Sequence, residues 1–188
     1  MLDYIVIGMV LDEELTGYDI KKEVNESIGI FYRANYGRLY PTLKKLAEKE
    51  YLTMNEQMQG NRLKKYYKAT ALGKEYFMEW LSAPVDLMEH GETQLSKIFF
   101  YGELPKEIRT KRLQEYEFLV EQLLHQLLAI KKEVDEEMTI DDVNNKHYYQ
   151  ISTLFYGLQN GYSTLNWLKY IKEQKPFSKF ITTSMEEK

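Results

Sequence analysis

Basic side chains recur in two neighbouring stretches of the sequence and are its strongest chemical signal. Arg38, Lys44 and Lys45 occur in a segment of helical periodicity, and "NRLKKYYK", residues 61–68, adds four cations in a segment of strand periodicity. Residues 33–74 hold 10 basic and 3 acidic residues, although the whole chain has a net charge of −4. A locally basic surface attracts polyanions whatever the net charge, so these stretches are a candidate site for nucleic acid.

The first basic stretch predicts a helix that carries its chemistry on the outward face. Leu39, Leu43 and Leu46 share one arc of the helical wheel and would anchor it. The opposite arc collects Gly37, Arg38, Pro41, Lys44 and Lys45. Glycine allows a partner close to the backbone, a helix N-terminus favours phosphate, and arginine can fork onto a guanine edge. The plain alternative stays open, in which Gly37 and Pro41 only punctuate the chain and the lysines form a solvated face.

The elements around this helix predict a small domain. Residues 2–11 are apolar enough for a buried helix, Thr16 is a candidate N-cap for a helix over 17–28, and Asn35 for the basic helix, which would run to about Lys49. Alternation of period two predicts strands over 51–58 and 63–69, joined by a turn at Gly60-Asn61. Thr70 would cap a fourth helix. Three helices, a hairpin and a further helix form a winged helix-turn-helix pattern, in which the basic hairpin is the wing.

The remainder of the chain is helical in pattern. Apolar residues spaced three and four apart predict a coiled-coil seam, and these are Leu113, Tyr116, Val120, Leu123, Leu127, Ile130 and Val134. Packing within one subunit is the alternative, but helix-turn-helix proteins need two half-sites about 34 Å apart, which favours a homodimer. Thr139 or Asp141 would cap a last long helix.

We therefore predict a mainly α protein. A winged helix-turn-helix domain occupies residues 1–82, a linker 83–91, a helical dimerisation and effector domain 92–175, and a flexible tail 176–188. The last helix is rich in aromatic residues, which are either core or the lining of a ligand pocket. The candidate pocket residues are Tyr148, Phe155, Tyr162 and Trp167.

Several classes of function are disfavoured by residue content. The chain has no cysteine, which excludes disulfides, thiolate catalysis and cysteine-based zinc sites. Its three histidines are far apart and no phosphate loop or nucleophile elbow occurs, so we expect no enzyme, no metal and no cofactor. The apolar N-terminal stretch lacks a basic leader and is too short to span a membrane, so we expect a cytoplasmic protein without a membrane partner. The rival to a DNA binder is a winged-helix protein-interaction adaptor.

Three segments resemble a known family. "TGYDI" (16–20), "GRLYPTLKKL" (37–46) and "GNRLKKYYKATALGKE" (60–75) are similar to the PadR family of bacterial transcriptional regulators in order and spacing. The resemblance implies a homodimeric winged-helix protein, usually a repressor, that binds a palindromic operator and can respond to phenolic or other aromatic compounds. This sequence departs from the family pattern at Ala47, Glu50 and Leu63, where glutamate, a glycine helix cap and a wing proline are usual.

The resemblance also implies which residues contact duplex DNA. Tyr18 would meet phosphate, the basic helix would contact DNA along its outward face, and residues 61–65 would form the wing. With the cations placed by periodicity, the predicted DNA-binding residues are Tyr18, Asn35, Tyr36, Gly37, Arg38, Tyr40, Thr42, Lys44, Lys45, Asn61, Arg62, Lys64 and Lys65.

Overall fold

The chain divides into two compact units in the computed structural model, which describes residues 1–30, 32, 36–87, 91–137 and 145–177. The first unit is Met1–Arg109 and the second is Thr110–Lys188. The first contains helices and a small antiparallel sheet, and the described part of the second is helical. The predicted fold class, mainly α with an N-terminal winged helix, is confirmed.

The described part of the first unit contains five complete helices and three strands. They are α1 (Leu2–Met9), β1 (Leu15–Thr16), α2 (Gly17–Glu26), α3 (Leu39–Glu48), β2 (Leu52–Gln59), β3 (Arg62–Ala69), α4 (Ala71–Ser82) and α5 (Gly91–Phe99). Short 3-10 turns lie at Ile28–Ile30, Tyr36–Arg38 and Tyr101–Glu103. The strand order is β1-β3-β2, and both pairings are antiparallel. The sequence did not predict β1, because a strand of two residues has no periodicity of its own.

Threonines cap two of these helices, as predicted. The Thr16 hydroxyl accepts from the Asp19 backbone N–H at 3.2 Å, and the Asp19 carboxylate accepts from the Thr16 N–H at 3.3 Å. This reciprocal capping box fixes the start of α2. Thr70 accepts from the Gly73 N–H at 2.9 Å and fixes the start of α4.

The core of the first unit surrounds α1. Ile5, Val6 and Ile7 are fully buried, and α1 contacts α2, α3 and α4. Leu43 and Leu46 of α3 are also fully buried, so the apolar arc predicted for the basic helix anchors it to this core. Burial of such side chains stabilises the fold by roughly 1.5–3 kcal/mol each.

Four aromatic rings form a continuous stack on the first unit. Tyr51 stacks on Tyr76 with ring centroids 4.5 Å apart, Tyr76 on Tyr4 at 5.0 Å, and Tyr4 on Trp80 at 4.6 Å. A hydrogen bond with Tyr4 raises the pKa of Tyr76. The stack joins the residue that precedes β2 to α4 and α1.

Helix α5 packs on the winged helix. The Lys97 ammonium, 5% exposed as a residue, donates to the backbone oxygens of Ala83 at 3.0 Å and Pro84 at 3.2 Å. The Phe100 ring meets Phe77 edge to face at 5.3 Å. The structure thus groups α5 with the first unit, whereas the sequence predicted a linker over 83–91 and a second domain over 92–175. Which segments fold independently stays a prediction.

Two long helices form the second unit. Helix α6 (Lys106–Glu137) directly follows Pro105 and begins within the first unit; α7 is Asn145–Lys172. A Cβ atom at Gly161 would lie 2.6 Å from the Leu124 side chain, so this glycine allows close helix packing. Lys172, near the end of α7, forms an ion pair with Glu117 of α6. Because Gly161 lies earlier in α7 and meets Leu124, which lies later in α6, the two helices run antiparallel. The predicted cap, Thr139 or Asp141, and the predicted tail beyond residue 177 lie outside the described residues.

Candidate nucleic-acid interface

The start of α3 accommodates both helix-breaking residues. Gly37 lies in the 3-10 turn Tyr36–Arg38, and α3 begins only at Leu39. Pro41 is therefore the third helical residue, where a backbone N–H has no acceptor within the helix. The N-cap of α3 is Arg38 and not Asn35, so the helix starts later than the sequence predicted, and both helix-breaking residues are exposed. Asn35, the predicted cap and DNA contact, lies outside the described residues.

The end of α3 is a left-handed turn made without glycine. Glu50 has a φ of 59°. The N–H of Tyr51 donates to the Leu46 oxygen at 2.9 Å, and that of Glu50 donates to the Ala47 oxygen at 3.0 Å. These bonds form a Schellman motif. The C-terminal cap of α3 therefore forms even though glutamate, and not glycine, occupies its left-handed position.

The outward face of α3 presents most of the predicted side chains. Arg38, Tyr40 and Lys44 are exposed. Thr42 is only 9% exposed, so its side chain faces the core instead of the surface predicted to contact DNA. On the helical wheel Thr42 lies at the border between the apolar and basic arcs, and packing in the folded chain places it on the buried side.

The two adjacent lysines of α3 have different neighbours. The Lys45 ammonium lies 2.6 Å from a carboxylate oxygen of Asp3 in α1, and this hydrogen bond raises the pKa of Lys45. Lys44 lies 3.7 Å from Glu48, with both side chains well exposed to water. Exposed pairs of this kind contribute little energy, so Lys44 remains available to an anionic partner.

The wing has two different faces, set by the strand register. Lys65 lies opposite Glu56, and their charged atoms are 3.6 Å apart. Arg62 lies opposite Gln59, and Lys64 lies opposite Gln57, so these two cations share the other face. The sequence could have revealed this, since a two-residue turn at Gly60-Asn61 fixes the register.

Three exposed cations of α3 and the wing have no salt-bridge partner among the described residues. Within the described part of the chain, Arg38, Arg62 and Lys64 form no ion pair. Their charges are therefore not neutralised by the protein itself. Cations in this state attract phosphate at long range and release counterions when they bind it.

An open groove of about 850 Å³ lies between α3 and the wing. Tyr18, which is 70% exposed at the first turn of α2, lies at its edge. The lining comprises Thr16, Gly17, Tyr18, Tyr40, Lys44, Ala47, Glu48, Met54, Arg62, Leu63, Lys64, Lys65 and Tyr67. The groove brings together six predicted DNA-binding residues, namely Tyr18, Tyr40, Lys44, Arg62, Lys64 and Lys65. Among the residues whose side chains the structure describes, the predicted DNA-binding residues that do not line the groove are Gly37, Arg38, Thr42, Lys45 and Asn61.

The floor of the groove contains residues that the sequence did not single out for it. A Cβ atom at Gly17 would lie 2.9 Å from the Tyr40 ring, so the missing side chain at Gly17 leaves room for this ring. Met54 lies opposite Tyr67 in the wing, and burial raises the pKa of Tyr67. The pairing of Met54 with Tyr67 could have been inferred from the strand register, but their position in a groove beside α3 could not.

The predicted seam of α6 divides between buried and exposed positions. Leu113, Tyr116 and Val120 are buried, and Leu127 and Val134 are partly buried. By contrast, Leu123 is 40% exposed and Ile130 is 47% exposed. Part of the seam thus packs within the chain, as in the alternative considered from the sequence, and part is uncovered.

The predicted effector residues of α7 are mostly exposed. Tyr148, Phe155 and Tyr162 are each about half exposed or more, and Trp167 is partly buried. Among the described residues no group of three or more acidic or histidine side chains could hold a metal ion. No helix in the described ranges is long and apolar enough to cross a membrane.

The winged-helix segment matches a known family. Residues 6–79 match the family described as "Transcriptional regulator PadR-like family". The match covers 74 of the 188 residues, so it assigns the winged-helix segment alone to this family. The matched segment begins within α1, ends within α4 and contains α3, the wing and the groove.

Individual relatives agree with this assignment. The negative transcriptional regulator PadR of Bacillus subtilis (strain 168) is 38% identical over 82 residues, which are 43% of this chain and 45% of that protein. The match thus spans less than half of that relative. An uncharacterised protein of Lysinibacillus sphaericus is 27% identical over 90 residues, covering 47% of this chain and 82% of its own.

Solved structures are similar over a longer range. Bacillus subtilis PadR in complex with operator DNA is 26% identical, with a TM-score of 0.44, over 92% of this chain and 97% of that one. Bacillus subtilis PadR in complex with p-coumaric acid is 26% identical, with a TM-score of 0.41, over 92% of this chain and 96% of that one.

Proposed function

We propose that this PadR-like protein is a sequence-specific DNA-binding transcriptional regulator that acts as a homodimer. The observation that carries the proposal is the groove between α3 and the wing, with Lys44, Arg62 and Lys64 on its rim. A cationic groove between a helix and a hairpin suits a duplex, because the helix can enter the major groove while the hairpin follows the backbone. A cytoplasmic location follows from access to chromosomal DNA.

Each predicted contact has a role in this arrangement. Arg38, exposed at the N-terminus of α3, is proposed to read a guanine edge, which accepts two hydrogen bonds from a guanidinium group. Tyr18 and Lys44 are proposed to bind phosphate, and Arg62 and Lys64 to bind phosphates beside the wing. Lys45, which pairs with Asp3, and Thr42, which faces the core, are proposed to position α3 and not to bind DNA.

A homodimer is proposed because the uncovered part of α6 is apolar. Leu123 and Ile130 are seven residues apart, lie on the same side of the helix and are both exposed. A second copy can cover these side chains through a two-fold interface. Two copies would place two α3 helices on half-sites about one helical turn apart, which requires a palindromic operator.

We further propose repression, relieved by a small aromatic effector. The exposed rings of Tyr148, Phe155 and Tyr162 on α7 offer faces on which an aromatic compound can stack. The regulated gene is expected to be transcribed when the effector binds and to be silent without it.

Salt dependence of duplex binding tests the proposal most directly. Fluorescence anisotropy with a duplex enriched by the full-length protein from a random-sequence pool gives the affinity between 50 and 200 mM salt. With roughly six phosphates neutralised by a dimer, we expect a loss of about 10³-fold over this range. Arg38→Ala should cost about 1–3 kcal/mol on the enriched duplex. No enrichment and a flat salt response would instead favour a protein-interaction adaptor.

A further inference from the structure

Two large apolar side chains are exposed at the end of the wing. Met58 is 66% exposed and Leu63 is 58% exposed. The two residues lie directly opposite each other in the register of β2 and β3. Only the pair Gln59 and Arg62 separates them from the turn at Gly60-Asn61. Directly opposed residues of an antiparallel ribbon project from the same face. Met58 and Leu63, the tip pair, therefore form one apolar surface at the end of the hairpin.

The tip pair belongs to the face of the wing that is turned toward α3. Below it on the same face lie Glu56 and Lys65, and then Met54 and Tyr67. Tyr67 is buried, and Met54, Leu63 and Tyr67 all line the groove. The apolar surface thus continues the groove in which DNA is proposed to lie.

The opposite face of the wing is cationic. Arg62 and Lys64, on either side of Leu63 in sequence, share that face and form no ion pair among the described residues. The carboxylate of Glu14 also lies on this face, where it accepts hydrogen bonds from the Asn55 and Gln57 side chains. Their long methylene stems allow the charged ends to reach around the narrow ribbon to either side. The same tip therefore combines an apolar face with two cations that can bind phosphate.

This combination fits the minor groove of duplex DNA. Exposed hairpins are usually protected by charge, whereas here two large apolar side chains meet water at the tip. Proteins that bend DNA insert such side chains between base pairs from the minor groove, while their cations hold the flanking phosphates. Charge complementarity makes a protein partner for this tip less suitable than a polyanion.

We propose that the tip pair is an apolar wedge that unstacks a base step in the minor groove and bends the duplex. The inference rests on the proposed function and adds a second source of specificity to it. Pyrimidine–purine steps are unstacked most easily, so the wedge selects sites with such a step beneath each wing. The protein would thereby discriminate at base pairs to which it donates no hydrogen bond.

Three proteins test the wedge on an enriched duplex with a TA step under the wing and on the same duplex with a GC step there. The duplex is enriched from a random-sequence pool by the full-length protein and carries a dye pair at its ends and 2-aminopurine at the step under the wing. The variants are Met58→Gln with Leu63→Gln, and Met58→Leu with Leu63→Met as the matched apolar control. Met58 and Leu63 are both exposed, so circular dichroism should show unchanged folding of the two variants.

With the wild-type protein and the apolar control we expect a shortened end-to-end distance, brighter 2-aminopurine, and an about tenfold preference for a TA step over a GC step. The glutamine variant should bind with the same salt slope but without the bend, the fluorescence gain or the preference. A glutamine variant that still bends the duplex and prefers TA overturns the wedge alone. If the wild-type protein enriches no duplex, the proposed function fails and the wedge with it.

Discussion

The ammonium of Lys45 in α3 lies 2.6 Å from a carboxylate oxygen of Asp3 in α1. This ion pair crosses from the helix proposed to contact DNA to the helix at the centre of the core. It assigns Lys45 to positioning α3, whereas its neighbour Lys44 lines the groove. Two adjacent lysines with equal charge therefore have different roles.

The first prediction separates these lysines. Lys44→Ala should reduce the slope of log K against log salt by about one and weaken binding to all duplexes alike. Lys45→Ala should leave that slope nearly unchanged and lower the free energy of unfolding slightly. Lys74→Ala, an exposed lysine of α4, is the control for lost charge alone. Equal slopes for the Lys44 and Lys45 variants would contradict this division.

A second prediction concerns the left-handed turn after α3. Glu50→Gly should raise the free energy of unfolding by about 1 kcal/mol, because a side chain is strained at a φ of 59° and glycine is not. Urea denaturation measures the change. Lys49→Gly, one residue earlier at a φ of −86°, is the matched control and should lower stability. A destabilised Glu50 variant would mean that the carboxylate contributes more than the turn costs.

A third prediction concerns the packing of α4. A Cβ atom at Gly73 would lie 2.0 Å from the Tyr51 backbone oxygen, so Gly73→Ala forces α4 away from the strand start. We expect a loss of about 2–3 kcal/mol in thermal or urea unfolding. Gly102→Ala, where nothing lies within 4 Å of the added atom, should change stability little. Similar results for both alanines would show that α4 can shift freely.

The fourth prediction tests the uncovered face of α6. Leu123→Glu should convert a dimer into monomers, because the carboxylate would be buried at the proposed interface without a partner. Light scattering of the full chain gives the mass. Gln126→Glu, at an exposed position of the same helix, should leave the mass unchanged. A dimeric Leu123 variant would place the interface elsewhere.

Local patterns in the sequence predicted most of the fold of the first unit. Thr16 and Thr70 cap helices through hydrogen bonds to the residue three positions later, and the two-residue turn at Gly60-Asn61 fixes the strand register of the wing. Such features depend on neighbours in the chain, which is why periodicity reveals them.

Contacts between distant residues could not be predicted in this way. Lys45 meets Asp3 across 42 positions, β1 exists only because β3 pairs with it, and Thr42 turns inward because of packing. The candidate site was therefore predicted by composition and location, whereas the pairing of its individual cations was not.

The aromatic stack of Tyr51, Tyr76, Tyr4 and Trp80 has a spectroscopic consequence. The sequence contains two tryptophans; Trp80 lies in the first unit and Trp167 in the second. Rings held in a fixed stack give near-ultraviolet circular dichroism that vanishes when tertiary packing is lost. With Trp167 replaced by phenylalanine, Trp80 is the remaining tryptophan, and energy transfer from the adjoining tyrosines contributes to its emission. This emission follows the unfolding of the first unit without any attached label.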